Sequence, residues 1–334
     1  MKLKEIGEFG FIERFTPLFN SLLHENQLGI GDDCAIIPAN ETEDWLVTTD
    51  LLMEGVHFLR DAITPQQLGY KSLAVNLSDI AAMGGTPTGS FLSFAIPEGL
   101  DVNYLDAFMS GYHELSAKYG VPLLGGDTTK SLKHFAINVC VMGKCPKGTA
   151  RKRSMAQVGD LVCVTGHLGD SAAGLKIVLD QPDLSDDGHK HLIEKHHKPE
   201  PQLSEGLFLA DFAGTHAMMD ISDGIASDLK HILKASGKAA TIEIEKLPIS
   251  GTLKNMAAAQ QWNAVELAAS GGEDYELLVT VAPHDLETIQ QQFAECFGKP
   301  LYQIGEITEG EARITWKKDG REIDFGKSGF NHFE

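Results

Sequence analysis

Aspartate recurs in this chain in short, similar settings: Gly31-Asp32-Asp33, Thr48-Thr49-Asp50, Asn76-Leu77-Ser78-Asp79, Gly125-Gly126-Asp127-Thr128 and Asp220-Ile221-Ser222-Asp223. Each alone reads as a turn or helix-capping aspartate. Together they suggest more, because Asp50, Asp127 and Asp220 each follow directly on a short apolar, strand-like run, the position at which α/β folds present ligand groups. Asp79 falls inside an apolar helical pattern, on the same face as Asn76 three residues earlier, and a carboxylate buried there is costly without a cation. Hard oxygen donors from Asp, Thr and Ser suit Mg²⁺, which keeps waters and shares its remaining positions with substrate phosphates. The pattern points to a metal–nucleotide site.

Other chemistries fit less well. A transition-metal site wants His or Cys pairs at short spacing; His196-His197 are adjacent in a polar segment and read as solvated. Cys34 follows GIGDD with no paired base and reads as a small buried hydrophobe rather than a nucleophile. Gly29-Ile30-Gly31-Asp32-Asp33-Cys34 starts like a dinucleotide fingerprint but places Cys at the third glycine and leads into no helix. Gly326-Lys327-Ser328 resembles the end of a P-loop, but Arg321 stands where its first glycine belongs.

These residues need a scaffold. The 334 residues suffice for two domains. The polar, basic stretch 144–159, KCPKGTARKRSMAQVG, is the best seam, so an N-terminal domain over 1–147 and a C-terminal domain over 148–334 are expected. Residues 46–49, 91–96, 136–142, 161–164, 216–219 and 277–281 read as strands. Residues 65–83, 101–118, 170–180, 202–212, 225–235 and 283–297 read as helices, the first opened by the capping sequence Thr64-Pro65-Gln66-Gln67. The class is mixed α/β. Residues 181–202 read as a surface insertion.

Lys and Arg total 28 against 47 Asp and Glu, a net charge of −19, which argues against a nucleic-acid or anionic-membrane partner. Five scattered cysteines read as reduced thiols, and no apolar run approaches a membrane span. The expectation is a cytoplasmic protein.

The motifs that carry a resemblance run in order: Gly31-Asp32-Asp33-Cys34-Ala35, Thr49-Asp50, Asn76-Leu77-Ser78-Asp79-Ile80-Ala81-Ala82-Met83-Gly84, Gly125-Gly126-Asp127-Thr128-Thr129, Asp220-Ile221-Ser222-Asp223-Gly224 and Gly271-Gly272-Glu273-Asp274-Tyr275-Glu276-Leu277, with the tail Gly329-Phe330-Asn331-His332-Phe333. Over nearly its whole length the chain resembles the thiamine-monophosphate kinase family. That resemblance implies the two-domain fold of aminoimidazole ribonucleotide synthetase, an N-terminal α/β domain whose sheet forms a homodimer and a C-terminal α/β domain. It implies direct transfer of the γ-phosphoryl group of ATP to thiamine monophosphate. It also implies Mg²⁺ ligands at Asp33, Thr48, Thr49, Asp50, Asp79, Asp127, Asp220 and Asp223, ATP contacts at Gly126, Asp127, Arg153 and Ser222, and substrate contacts at His57, Glu273 and Phe330. From the residues alone, Arg153 also reads as part of a solvated linker patch, and His57 and Glu273 as surface or turn groups. Two rivals share the fold: another ATP-dependent enzyme, such as selenophosphate synthetase, whose N-terminal Cys is missing from residues 1–31, and an Mg-nucleotide-binding assembly protein with a C-terminal cysteine, which GFNHFE lacks.

Overall fold

The computed structural model describes residues 5–180 and 186–326; Phe330 lies outside the described residues. The first half runs α1 (Gly7–Asn20), β1 (Ala35–Pro38), β2 (Glu43–Met53), α2 (Pro65–Ala82), β3 (Thr86–Pro97), α3 (Val102–Tyr119), β4 (Leu123–Ser131) and β5 (Ala136–Pro146). Its five strands form one sheet in the order β1-β2-β5-β3-β4, antiparallel except where α3 crosses over to make β4 parallel to β3. Helices α2 and α3 cover one face so closely that a Cβ at Gly69 would lie 1.9 Å from the Phe108 carbonyl oxygen and one at Gly111 would lie 1.8 Å from that of Gln66. Leu46, Ile137, Val139, Leu73, Leu77 and Phe108 fill that core. The opposite face is bare: Leu51 is 53% exposed, Phe91 38% and Leu124 57%.

The second half runs β6 (Leu161–Val164), α4 (Asp170–Asp180), α5 (Asp187–His197), α6 (Leu203–Ala210), β7 (Thr215–Asp220), α7 (Ile225–Ser236), β8 (Ala239–Glu243), α8 (Gly251–Gln260), α9 (Ala264–Ser270), β9 (Leu277–Val281), α10 (Leu286–Phe297), β10 (Tyr302–Thr308), β11 (Ile314–Lys318) and β12 (Arg321–Ile323). Its seven-stranded sheet has the order β12-β11-β8-β10-β6-β9-β7. Register pairs Asp220 with Leu277 and Val164 with Leu278, so the end of β7, the start of β9 and the end of β6 share one sheet edge.

Helix α2 joins the halves. Thr64 and Gln67 form its capping box and Pro65 occupies its first turn, as the sequence predicts. It packs on β2, β3 and β5 on one side and on β7, α5 and α6 on the other. From Leu68 to Ala82 every position is buried except Asp79, which explains its weak amphipathicity: a helix enclosed on all sides need not be apolar on one stripe only. The polar residues that remain on it, Lys71, Ser72, Asn76, Ser78 and Asp79, therefore have partners or functions to supply.

Several expectations change. Three of the aspartates are not in turns: Asp50 lies inside β2, Asp127 inside β4, and Asp220 is the last residue of β7. Polar, glycine-rich LLGGDTTKS forms a strand because Gly126 lets β4 run against β3; a Cβ there would lie 1.7 Å from the Leu92 carbonyl oxygen. Within 181–202, described from residue 186 on, the reading of a surface insertion is corrected: α5 packs on α4 and α8 and buries His189, Leu192, His196 and His197. The two histidines are thus core residues, at 5% and 4% exposure. Helices α1, α8 and α9 and strands β1, β8 and β10 to β12 went unread in the sequence.

Candidate active site

Three carboxylates from three distant parts of the chain converge. Asp33 precedes β1, Asp79 stands in the last turn of α2, Asp220 ends β7, and one oxygen of each lies within 4.8 Å of the others. Asp50 and Thr48 project from the same side of β2, two residues apart. The Asp50 amide donates to Asn76 Oδ1 at 3.1 Å, and the Thr48 hydroxyl donates to Asp79 Oδ2. Ser78 donates to Asp220 Oδ2 at 2.6 Å. Arg153, in a short 3-10 turn between the two sheets, pairs its guanidinium with Asp33, and its backbone N–H reaches Asp32 Oδ2 at 3.2 Å.

Like charges this close repel by about 3 kcal/mol per pair at an effective dielectric of about 20. Burial, then repulsion from Asp33, pushes Asp220 up to about 8 and Asp50 up to about 6. Asp32 rises to about 7 for the same reasons, with Arg153 holding it back. Asp79 and Asp33 are also raised, chiefly by burial. The C-terminal end of α2 adds its negative dipole end beside Asp79. Burial works against the Arg153 charge, but Asp33 and Asp32 more than offset this and raise its pKa.

A divalent cation fits this set. The donors are carboxylate and hydroxyl oxygens, the set Mg²⁺ takes. Asp33 Oδ2 and Arg153 Nε are buried without a hydrogen-bond partner, an arrangement that is costly unless the carboxylate has another charge to meet. Cys34 adjoins the cluster, but burial and the neighbouring aspartates raise its thiol pKa well above the ordinary value, so it stays protonated.

A second group forms beside the first. Residues 271–276 lie across the 220–223 turn: Glu273 N–H donates to Ser222 O at 2.7 Å, Tyr275 N–H to Ile221 O at 2.9 Å, and Ile221 N–H to Glu276 O at 2.8 Å. Glu273 and Tyr275 hold φ of 63° and 49°, the left-handed region, where side-chain-bearing residues are uncommon and cluster at functional sites. Glu273 Oε2 lies 3.0 Å from the buried Lys71 Nζ and 3.0 Å from His196 Nδ1. Gly224, at φ 96°, is the N-cap of α7, which leaves Ser222 and Asp223 free of that task; the Asp223 N–H donates to Asp228 Oδ2 at 3.1 Å.

Of the residues expected from sequence, Asp33, Thr48, Asp50, Asp79, Asp220 and Arg153 come together. Ser222, Asp223 and Glu273 lie on the adjoining turn and strap. Thr49 faces the other side of β2, its hydroxyl donating to Val139 O at 3.1 Å and accepting from Asn138 at 2.9 Å. Gly126 and Asp127 sit on the exposed edge strand β4 and do not join the buried cluster. His57 accepts the Met53 N–H at Nδ1, 3.0 Å, in the turn after β2. The sequence reading missed Asp32, Lys71, Ser78, His196 and Tyr275; a single lysine in an otherwise apolar helical pattern, GYKSLAVNL, was the available signal for Lys71. A separate cavity of about 270 Å³, lined among others by His167, Glu205, Glu276 and Lys299, touches none of the expected residues, and its charges largely satisfy one another: Lys299 lies 3.1 Å from Glu205 and 3.8 Å from Glu276.

Residues 31–145 match the N-terminal domain, and 157–317 the C-terminal domain, of the AIR synthase related protein family. The chain is 38% identical to the thiamine-monophosphate kinase of Salmonella typhimurium over 98% of both chains, and 37% identical to that of Bacillus subtilis over 98% of this chain and 100% of the other. The solved structure of AaThiL complexed with AMPPCP and TMP superposes with a TM-score of 0.87 at 34% identity, covering 99% of each chain. Buried aspartates converging between two α/β domains, and end-to-end identity of this order, lead to one conclusion: the chain belongs to the thiamine-monophosphate kinase family.

Proposed function

We infer that this chain transfers the γ-phosphoryl group of ATP to thiamine monophosphate, giving ADP and thiamine diphosphate. The observation that carries this reading is the buried Asp33, Asp79 and Asp220 cluster, with an unpartnered oxygen on Asp33, in a chain alike from end to end to thiamine-monophosphate kinases and to a structure holding an ATP analogue and TMP. Phosphoryl transfer asks the protein for positioning and charge neutralisation more than for covalent chemistry. The attacking phosphate is already anionic, so no general base is assigned.

Mg²⁺ held by Asp33, Asp79 and Asp220, with Thr48, Asp50, Asp127 and Asp223 completing the set as the nucleotide enters, would neutralise phosphate charge and orient the attacking and leaving oxygens; Thr49, turned to the other side of β2, is left out of the set. Arg153 then exchanges its Asp33 contact for a nucleotide phosphate, for which its forked donor is suited. Gly126, Asp127 and Ser222 complete the ATP contacts; His57, Glu273 and Phe330 bind thiamine phosphate. Residues 1–147 supply most of the metal and nucleotide groups and 148–334 complete both sites. The bare face of the N-terminal sheet and its exposed edge strand β4 support a homodimer through that sheet, which would enclose Asp127. Among the described residues no helix is long and apolar enough to cross a membrane, and the five cysteines are free, which supports a cytoplasmic enzyme.

The test is an ADP-release assay on purified protein with ATP and Mg²⁺, adding thiamine monophosphate, thiamine or neither. ADP and thiamine diphosphate formed in equal amounts with thiamine monophosphate alone are expected. Turnover with thiamine but not its phosphate, or none in protein that binds ATP, would overturn the reading.

A further inference from the structure

Lys71 is the most deeply buried ionisable group of α2, at 1% side-chain exposure. An ammonium taken out of water costs several kcal/mol unless its partner is well placed, so a lysine kept at such a position is tied to what it pairs with. That partner is Glu273, 202 residues away, at 3.0 Å. His196, on α5, adds a second contact to the same oxygen, Oε2, at 3.0 Å, and its Nδ1 also lies 3.0 Å from Ser171 Oγ. Burial, then the charges of Lys71 and His197, hold the His196 pKa well below its ordinary value, so the ring packed beside Oε2 is neutral. The Lys71 ammonium donates to Oε2, and a quarter of the Glu273 side chain remains exposed, which leaves Oε1 for a ligand. The backbone is fixed as well, by the left-handed φ of Glu273 and its N–H bond to Ser222 O.

We propose that Lys71 is the positioning residue for substrate recognition: it fixes Glu273 through one oxygen so that the other accepts a hydrogen bond from an exocyclic amino group on a heteroaromatic ring, the group thiamine phosphate carries at the end remote from its phosphate. This rests on the reading that Glu273 contacts thiamine phosphate. Helix α2 acts as a ruler in this arrangement. Lys71 and Asp79 are eight residues apart, about 12 Å along the axis at 1.5 Å per residue, so one rigid helix sets the spacing between the amino-group acceptor and the acidic cluster that receives the phosphate end. Lys71 acts through Glu273 and does not itself touch the substrate.

The test compares Lys71→Met, Lys71→Arg, Glu273→Gln and the double variant Lys71→Met/Glu273→Gln in steady-state kinetics, with thermal melts to confirm folding. Lys71→Met is expected to raise KM for thiamine monophosphate about 10- to 100-fold, the loss of an oriented hydrogen bond to a charged group. KM for ATP is expected to stay within about twofold, with Lys71→Arg recovering part of the loss. The double variant should be no worse than Glu273→Gln alone, because both act through one contact. An unchanged KM for thiamine monophosphate in Lys71→Met, with Glu273→Gln impaired, overturns the role of Lys71 alone. An unimpaired Glu273→Gln overturns the substrate contact at Glu273 and the proposal with it. Equal rises in both KM values, or a double variant worse than either single by the product of their effects, would assign Lys71 to general stability. If Lys71→Met does not fold, the comparison of Lys71→Arg with the double variant decides the same question.

Discussion

The acidic cluster makes the protein's stability depend on pH in a direction opposite to that of ordinary salt-bridged carboxylates. Asp220 is raised to about 8 in the folded protein from 3.8, so between these values the folded chain keeps a proton that the unfolded chain has released. Stability therefore falls as pH rises through this window. With 1.36 kcal/mol per pKa unit, Asp220 alone removes about 2 kcal/mol between pH 6 and pH 8. Asp50, raised only to about 6, is half deprotonated at the start of that interval and adds about 0.4 kcal/mol. For a chain of this size, at about 2.1 cal/mol/K of unfolding entropy per residue, the loss from Asp220 alone corresponds to a drop in Tm of about 3 °C. Calorimetric melts in EDTA at pH 6, 7 and 8 measure it directly. Mg²⁺ at about 100 times its dissociation constant should return about 2.7 kcal/mol at pH 8, because it binds the folded cluster and not the unfolded chain. Asp220→Asn keeps an acceptor for the Ser78 hydroxyl and removes the charge. This variant should melt above the wild type in EDTA at pH 8, lose most of the Mg²⁺ shift, and have no measurable kinase activity. Equal wild-type stability in EDTA at pH 6 and pH 8, or a full Mg²⁺ shift in Asp220→Asn, would refute the account of the cluster.

Three further outcomes follow from the same structure. Arg153→Gln leaves Asp33 and Asp32 without their cation; it should cost about 3 kcal/mol in EDTA, read by denaturant melts, recover part of that with Mg²⁺, and raise KM for ATP tenfold or more. Gly126→Ala drives a Cβ to within 1.7 Å of the Leu92 carbonyl oxygen on β3. It should therefore displace β4, lower stability by about 2–3 kcal/mol and impair ATP binding through Asp127, read by melts and nucleotide titration. Of the five thiols, Cys296 is exposed while Cys34, Cys145 and Cys163 are buried, so a thiol reagent should modify Cys296 first without loss of activity; early loss of activity with Cys34 labelling would contradict the burial assigned to it.

The chemistry of the site was legible in the chain because it is carried by residue type: repeated Asp beside Ser, Thr and Gly, a net charge of −19, and a helix over 65–82 whose capping sequence and apolar pattern fix it locally. Strands β6 and β9 were legible to the residue, since a buried central strand reads as a short apolar run whatever its neighbours are. Strand β4 was not, because LLGGDTTKS has strand geometry only through its pairing with β3 and the close approach that Gly126 permits. His196 and His197 looked solvated in a polar segment and are buried because α5 closes on α4, which local composition does not encode. Asp33, Asp79 and Asp220, 46 and 141 residues apart in turn, become one cluster only when α2 is clamped between the two sheets. The same docking pairs Lys71 with Glu273. Sequence determined which oxygens and charges the protein owns, a property of composition and local pattern; the tertiary structure alone decided which of them share a site, because electrostatic cost and cation affinity depend on distances between residues that the chain keeps far apart.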